Sequence, residues 1–165
     1  MAQKKVWNPR FEDFYRAEYA RVFRAAYLFS GDREMAFDAT QEAFMDAFAK
    51  WKSLSKEPWA AAWVMTAAMN RCRRSWRRIR REMQLFAAME RVASTTQSMD
   101  TDHVDLLSAL RQLPPRQRQA TVLYYVADLP VAVVADRLGV SEGTIKAHLS
   151  QARHKLRLAM GVEYV

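Results

Sequence analysis

The stretch from Leu129 to Arg157, LPVAVVADRLGVSEGTIKAHLSQARHKLR, leaves the chain little conformational freedom. It reads as two helices joined by a three-residue turn. Pro130 starts the first, where a missing N–H costs nothing. Val134 and Leu138 lie four apart on one face, and Ala135 is small enough for a second helix to cross closely. Gly139 falls where a helix end usually needs positive φ. Val140 plugs the corner, and Ser141 caps the second helix. Ile145, Leu149, Ala152 and Leu156 then recur at helical spacing. The opposite side carries Ala147, Ser150 and His154. Lys146, Arg153 and Arg157 flank them on one edge, and Thr144, Gln151 and Lys155 on the other. One side packs, and the other is small, polar and basic. A helix entering the DNA major groove needs small residues for close approach, donors for base edges and cations for phosphates. The plain alternative is an antiparallel helix pair in a bundle. The turn Gly139-Val140-Ser141, the basic outer face and a net charge of +8 favour DNA.

Composition agrees. Half of the 165 residues are hydrophobic and only four are glycine, which suits packed helices rather than sheets with many turns. An excess of 26 Lys and Arg over 18 Asp and Glu points to a polyanionic partner. No apolar run is long enough to span a bilayer, and MAQKKVWNPRFEDF lacks the apolar core of a signal peptide. The expected location is the cytoplasm, without membrane insertion. The single cysteine, Cys72, excludes an internal disulfide and any zinc cluster built on several thiolates. Its place on an apolar stripe suggests a small buried hydrophobe, although its arginine neighbours could lower its pKa. His103, His148 and His154 form no metal or catalytic arrangement. No nucleophile–base pair or phosphate-cradling glycine loop accompanies them. Neither an enzyme nor a bound cofactor or metal is expected.

Asn8-Pro9 is a helix start, followed by Phe11, Tyr15, Tyr19, Val22, Ala26 and Phe29 at helical spacing. Ser30-Gly31-Asp32 stops that helix and caps a second, from about Arg33 to Trp51. Phe37, Phe44, Phe48 and Trp51 are its expected apolar side, and Asp38, Gln41, Glu42 and Met45 line another. That acidic-polar strip reads as a docking face for a protein or as a solvated face. Lys52 to Glu57 is a polar loop, and Pro58 opens a third helix. Met65, Met69, Cys72, Trp76, Ile79 and Met83 are expected to form a continuous buried seam along it. Seven arginines crowd the eleven positions from Arg71 to Arg81, a density that disfavours a helix unless an anion is present. Arginine suits forked phosphate contacts, and Trp59, Trp63 and Asn70 share a face with some of them. Residues 94–102 are polar and aperiodic, a linker pattern. Asp105 is placed as the cap of a short helix carrying Leu106, Leu107, Leu110 and Leu113. Pro114-Pro115 ends it and starts another, packed through Val122, Leu123 and Val126.

The order of an acidic-polar helix, a Trp–Asn–Arg helix, a linker, LPPRQR and a helix-turn-helix resembles the extracytoplasmic-function (ECF) sigma factors of bacterial RNA polymerase. Within them it is similar to a short actinobacterial, SigE-like subgroup. The resemblance runs from about Phe11 to Leu158. It rests on DATQEAF (Asp38–Phe44), WVMTAAMNRCRRSWRR, LPPRQR and LGVSEGTIKAHLSQAR. It implies an all-α chain of two small helical domains joined by a flexible linker, the C-terminal one containing a helix-turn-helix. Residues 8–84 would be sigma domain two, 85–104 the linker and 105–160 sigma domain four. Asp38, Gln41, Glu42 and Phe44 would dock on core RNA polymerase. Trp63, Asn70, Arg71, Arg74, Arg77, Arg78 and Arg81 would meet the −10 element of promoter DNA, and the loop Lys52–Pro58 would receive a flipped base. Thr144, Lys146, Ala147, Ser150, Gln151 and Arg153 would face the −35 element. An anti-sigma factor is a usual partner in the family. The chain departs from the family at Arg74, where an acidic residue is usual, at Val133-Val134, where Glu-Ile is frequent, and at Gln151, where a basic residue is common. A helix-turn-helix repressor or activator that replaces no sigma subunit is the competing reading. Such a regulator needs neither the Asp38-Gln41-Glu42 strip nor the Trp–Arg helix.

Overall fold

The computed structural model describes residues 9–87 and 101–161, and every regular element among them is helical. Helix α1 (Pro9–Ser30) ends at Gly31, whose φ is +69°. Asp32 caps α2 (Arg33–Ala49), its Oδ1 accepting from the Met35 amide at 3.0 Å. Gly31 is needed twice. Its backbone is left-handed, and a Cβ there would come within 2.6 Å of Nε of Arg111, whose Nη2 donates to the Gly31 carbonyl at 2.7 Å.

The buried side of α2 is a stripe of small residues, Ala36, Ala39, Ala43 and Ala47, with Thr40 and Phe44. Alanines let α1 and α4 cross close to the α2 axis. Phe37 lies off that stripe and is 50% exposed, against the expectation of a phenylalanine-lined face. Helix α2 stops at Ala49. A one-turn helix α3 (Trp51–Leu54) follows, overlapping the expected loop Lys52–Glu57, because Trp51 and Leu54 both turn into the core. Aromatic rings fill the space between α1 and this corner: Phe11 and Phe14 both lie against Trp51, at centroid separations of 5.3 and 4.9 Å.

Helix α4 (Ala60–Ala87) is buried through Cys72 and then leaves the core. Met65, Met69 and Cys72 are fully covered, Trp76 is half-buried, and Ile79 and Met83 are exposed, Met83 by 65%. The expected seam ends for a geometric reason. At 1.5 Å per residue α4 is about 42 Å long and α2 about 26 Å, so α4 outruns what covers it. Burial pushes the Cys72 thiol up to about 12, in keeping with a small buried hydrophobe.

The C-terminal half comprises α5 (Thr101–Arg111), α6 (Pro115–Thr121), α7 (Val131–Leu138) and α8 (Glu142–Met160). Helix α5 begins four residues before Asp105, which therefore lies inside the helix and does not cap it. Pro114-Pro115 separates α5 from α6 as expected. Helix α6 runs into a π-helical turn, Val122–Val126, closed by the Ala127 amide on the Val122 carbonyl at 3.0 Å. Gly139 ends α7 at φ +67°, and Ser141 Oγ accepts from the Thr144 amide at 3.1 Å to cap α8.

The two halves share one core. Val22, Phe29 and Met65 belong to the same buried cluster as Val122, Leu123, Val134 and Ile145. Helix α1 packs on the π-helical turn and α5, and α4 packs on α7. Polar ties cross the same junction: Arg21 Nη2 donates to the Ala127 carbonyl at 2.9 Å, and Arg137 lies 3.2 Å from Glu57. Buried Arg118 donates to the Phe29 carbonyl of α1 at 3.0 Å. It also donates to the carbonyl of Arg111, the last residue of α5, and to that of Leu113 just after it, both at 3.0 Å. Most of the expected linker, residues 88–100, lies outside the described residues.

Candidate nucleic-acid interface

Helix α8 buries Ile145, Leu149 and Ala152, which turns Lys146, Ala147, Ser150, Gln151 and Arg153 outward. Thr144 is half-buried, its hydroxyl 2.9 Å from Ser141 Oγ, so it belongs to the cap as well as to the face. Gln151 is held at its carbonyl end: Gln117 Nε2 donates to Gln151 Oε1 at 2.6 Å, and Lys155 Nζ donates to Gln117 Oε1 at 3.3 Å. Arg153 donates to the Tyr125 hydroxyl at 2.9 Å, which raises its already high pKa. Gln117 and Tyr125 thus set two side chains of the α8 face. Neither was anticipated from the sequence, although Gln117 lies in LPPRQR.

Helix α4 presents a second cationic surface. Arg74, Arg77, Arg78 and Arg81 are exposed. Arg71 behaves differently: its guanidinium pairs with Glu42 at 2.5 Å and with Asp46, which raises its pKa and ties α4 to α2. Trp63 is half-buried beneath Lys50, whose Nζ is 5.4 Å from the ring centre, and Trp59 is exposed. Asn70 is exposed on the same helix, but its Oδ1 accepts from Gln119 Nε2 of α6 at 3.3 Å. The C-terminal half therefore rests against the residue that the resemblance makes a base reader.

On α2, Asp38 and Glu42 are exposed and Gln41 is half-buried, its Nε2 3.4 Å from the Tyr19 hydroxyl. Phe44, also expected to dock on core polymerase, lies beneath this strip. It is 2% exposed, packed edge-on against Phe14 and Tyr15, and supports the face from below. Phe37 and Met45, the latter 70% exposed, stand beside Asp38 and Gln41 instead. Met45 lies on the expected strip, whereas Phe37 was expected on the apolar side, and its signal was a large apolar residue off the alanine stripe. A groove of about 660 Å³ separates the cap carboxylate Asp32 and the α2 carboxylates Glu34, Asp38 and Glu42 from Arg74, Arg77, Arg78 and Arg81 of α4, so the two surfaces meet edge to edge. Among the described residues no His, Cys, Asp and Glu cluster could hold a metal ion, and no helix is long and apolar enough to cross a membrane.

The chain matches the family models for Sigma-70 region 2 over residues 14–82 and for Sigma-70 region 4 over residues 103–156. It is 30% identical over 152 residues to the ECF RNA polymerase sigma factor SigM of Mycobacterium tuberculosis H37Rv, covering 92% of this chain and 77% of that protein. It is 27% identical over 149 residues to the RNA polymerase sigma-E factor of Streptomyces coelicolor, covering 89% of this chain and 84% of that one. In structure it is similar to the sigma factor RpoE of Bartonella quintana, solved in complex with the anti-sigma factor NepR. The TM-score is 0.81 at 27% identity, over 95% of this chain and all of that one. With region 2 on α1–α4, region 4 on α5–α8 and a relative of this similarity spanning both, the chain belongs to the extracytoplasmic-function sigma factors.

Proposed function

We propose that this sigma factor recruits core RNA polymerase through α2 and directs initiation at promoters read by α4 and α8. The observation that carries this reading is the pairing, in one chain, of a region 2 helix with exposed arginines and a region 4 helix with a small, polar, basic outer face. Asp38, Gln41 and Glu42, with exposed Phe37 and Met45, form the polymerase-docking strip. Asn70 and the arginines Arg74, Arg77, Arg78 and Arg81 meet the −10 element, with Trp63 beside them. Arg71 serves the helix junction. Lys146, Ala147, Ser150 and Gln151 meet the −35 element, flanked by Thr144 and Arg153. The chain acts as a specificity subunit in the cytoplasm and carries out no catalysis of its own.

The packing of region 4 on Asn70 belongs to a closed form, and promoter binding requires the halves to part. The likeness to RpoE, a chain held by an anti-sigma factor, supports an anti-sigma factor as a partner of this closed form. Pull-down with core polymerase, followed by run-off transcription on genomic fragments, tests the whole reading. Failure to bind core overturns it.

Charge reversal at Asp38→Lys and Glu42→Lys together weakens core binding at least tenfold, with circular dichroism unchanged. Because Glu42 also holds Arg71, Arg71→Ala is the control. If the control weakens binding equally, the loss is one of helix placement and the strip is not the docking face.

On α8, Gln can pair bidentately with adenine and Lys can donate to guanine acceptors, each such pair discriminating by about 1–3 kcal/mol. Gln151→Ala relaxes preference at one or two upstream positions. Lys146→Ala lowers affinity more broadly, and neither changes core binding. Transcription from a library randomised in the −35 element reads both. Wild-type profiles at wild-type strength from both variants would show that α8 is not the reader.

A further inference from the structure

Where region 4 rests on α4, the two halves enclose a cleft of about 380 Å³. Arg73, Arg74 and Arg77 line it from α4, Arg116 from α6 and Arg137 from α7, with Asn70 between them and no carboxylate in the lining. Among the described residues, Glu57, at 3.2 Å from Arg137, is the one carboxylate paired with any of these five. The other four make no ion pair, three of them (Arg74, Arg77 and Arg116) at the exposed rim of the cleft, where Arg74 and Arg77 also border the groove that Asp38 and Glu42 line. Arg73 is partly buried there, and its pKa is lowered first by desolvation and then by the charges of Arg116 and Arg77. Arg116 is held in place by one donor on the Leu138 carbonyl at 3.1 Å, and Arg137 Nε is buried with no hydrogen-bond partner.

We propose that this cleft binds a small oligophosphate, an anion of two or three linked phosphoryl groups, and that the site exists only while the two halves are closed. Guanidinium forks match phosphate oxygens in geometry and charge. One phosphoryl group carries about −1.5 to −2, short of the four arginines that have no ion pair, and a linked pair or triple comes closer to their charge. The volume is at the small end of small-molecule sites, too confined for a folded partner. The walls come from two halves of the chain, so the bound anion favours the closed form over the open one by its differential affinity for the two. The site goes beyond the promoter-binding reading. There α4 meets DNA with the halves apart, whereas here Arg116 and Arg137 complete the lining.

The test uses the full chain free of polymerase, with isothermal titration of pyrophosphate, orthophosphate and a short single-stranded DNA at matched ionic strength. The expected result is one pyrophosphate per chain, bound at least tenfold more tightly than orthophosphate. Arg116→Gln with Arg137→Gln lowers that affinity at least tenfold. Asn70→Asp lowers it similarly. This variant keeps an oxygen acceptor for Gln119 and adds a carboxylate to the lining, so small-angle scattering stays at the closed profile. Pyrophosphate bound no better than orthophosphate, or saturable binding of the DNA alone, overturns the proposal. So does wild-type affinity in the Arg116/Arg137 pair, which would place the anion on the outer arginines of α4. If that pair opens the chain, Asn70→Asp decides, and wild-type affinity there is equally fatal. A failure in any arm leaves the assignments on α2 and α8 standing, since none of their residues lines the cleft.

Discussion

Replacement of Arg118 by methionine is expected to part the two halves of the chain without unfolding either. The Arg118 side chain is 7% exposed, and its two terminal nitrogens reach three carbonyls, one of them on the other half. Its guanidinium also lies 5.1 Å from the Trp76 ring centre and 5.7 Å from that of Phe29, both on the opposing half. Burial, and after it the charge of Arg111, lowers its pKa, the sign of a cation taken out of water. Methionine fills much of the volume but donates nothing. Each buried carbonyl left without a donor costs about 1–3 kcal/mol. Opening re-solvates the Phe29 carbonyl and relieves part of that cost. The closed-to-open ratio is therefore expected to fall by roughly tenfold to a hundredfold, at about 1.4 kcal/mol per tenfold. Small-angle scattering should report a larger radius of gyration while far-ultraviolet dichroism is retained. Arg118→Lys, with a compact charge in place of the fork, should fall between. A methionine variant with the wild-type scattering profile would mean that apolar packing alone holds the halves.

The second large effect concerns the free end of α4. Arg77, Arg78 and Arg81 are exposed on a stretch that neither α1 nor α2 covers. Phosphate contacts release counterions, so each contact steepens the dependence of log affinity on log salt by about 0.7–0.9. Changing all three to glutamine should flatten the slope of holoenzyme on promoter DNA by roughly 2–2.7. Between 50 and 200 mM salt that amounts to roughly 15- to 40-fold less loss of affinity than in the wild type. The weakening should be uniform across promoter sequences, because phosphates carry no sequence information. An unchanged slope would mean that these arginines face only solvent.

What was legible in the sequence depended on how far apart the interacting residues lie along the chain. The helix-turn-helix could be read almost residue by residue. Its stripe of Ile145, Leu149 and Ala152, its Gly139 stop and its Ser141 cap all act within a few positions of one another. Helix α2 was harder, since phenylalanines occur on two of its faces. Only the choice of Ala36, Ala39, Ala43 and Ala47 as the close-packing stripe decides that Phe44 goes in and Phe37 stays out. For α4 the periodicity of Met65, Met69, Cys72, Trp76, Ile79 and Met83 shows what could be buried. It does not show where the covering helices end. The closing of region 4 on region 2 left no local trace. Arg118 and Phe29 are 89 positions apart, Asn70 and Gln119 are 49, and nothing in LPPRQR indicates that one of its arginines is buried.

The turn at Gly31 gives that long-range packing a hereditary consequence. Position 31 lies 80 residues from Arg111, yet the guanidinium of the one occupies the space a side chain on the other would need. A drift to alanine would strain a left-handed backbone and push Arg111 off the Gly31 carbonyl. It would leave the alanine stripe of α2 and the stripe of α8 untouched. The lineage carrying it would keep two intact helical halves and inherit a looser contact between them. Of the two reasons for glycine here, only the left-handed turn belongs to the N-terminal half. The other is the resting posture of the whole chain.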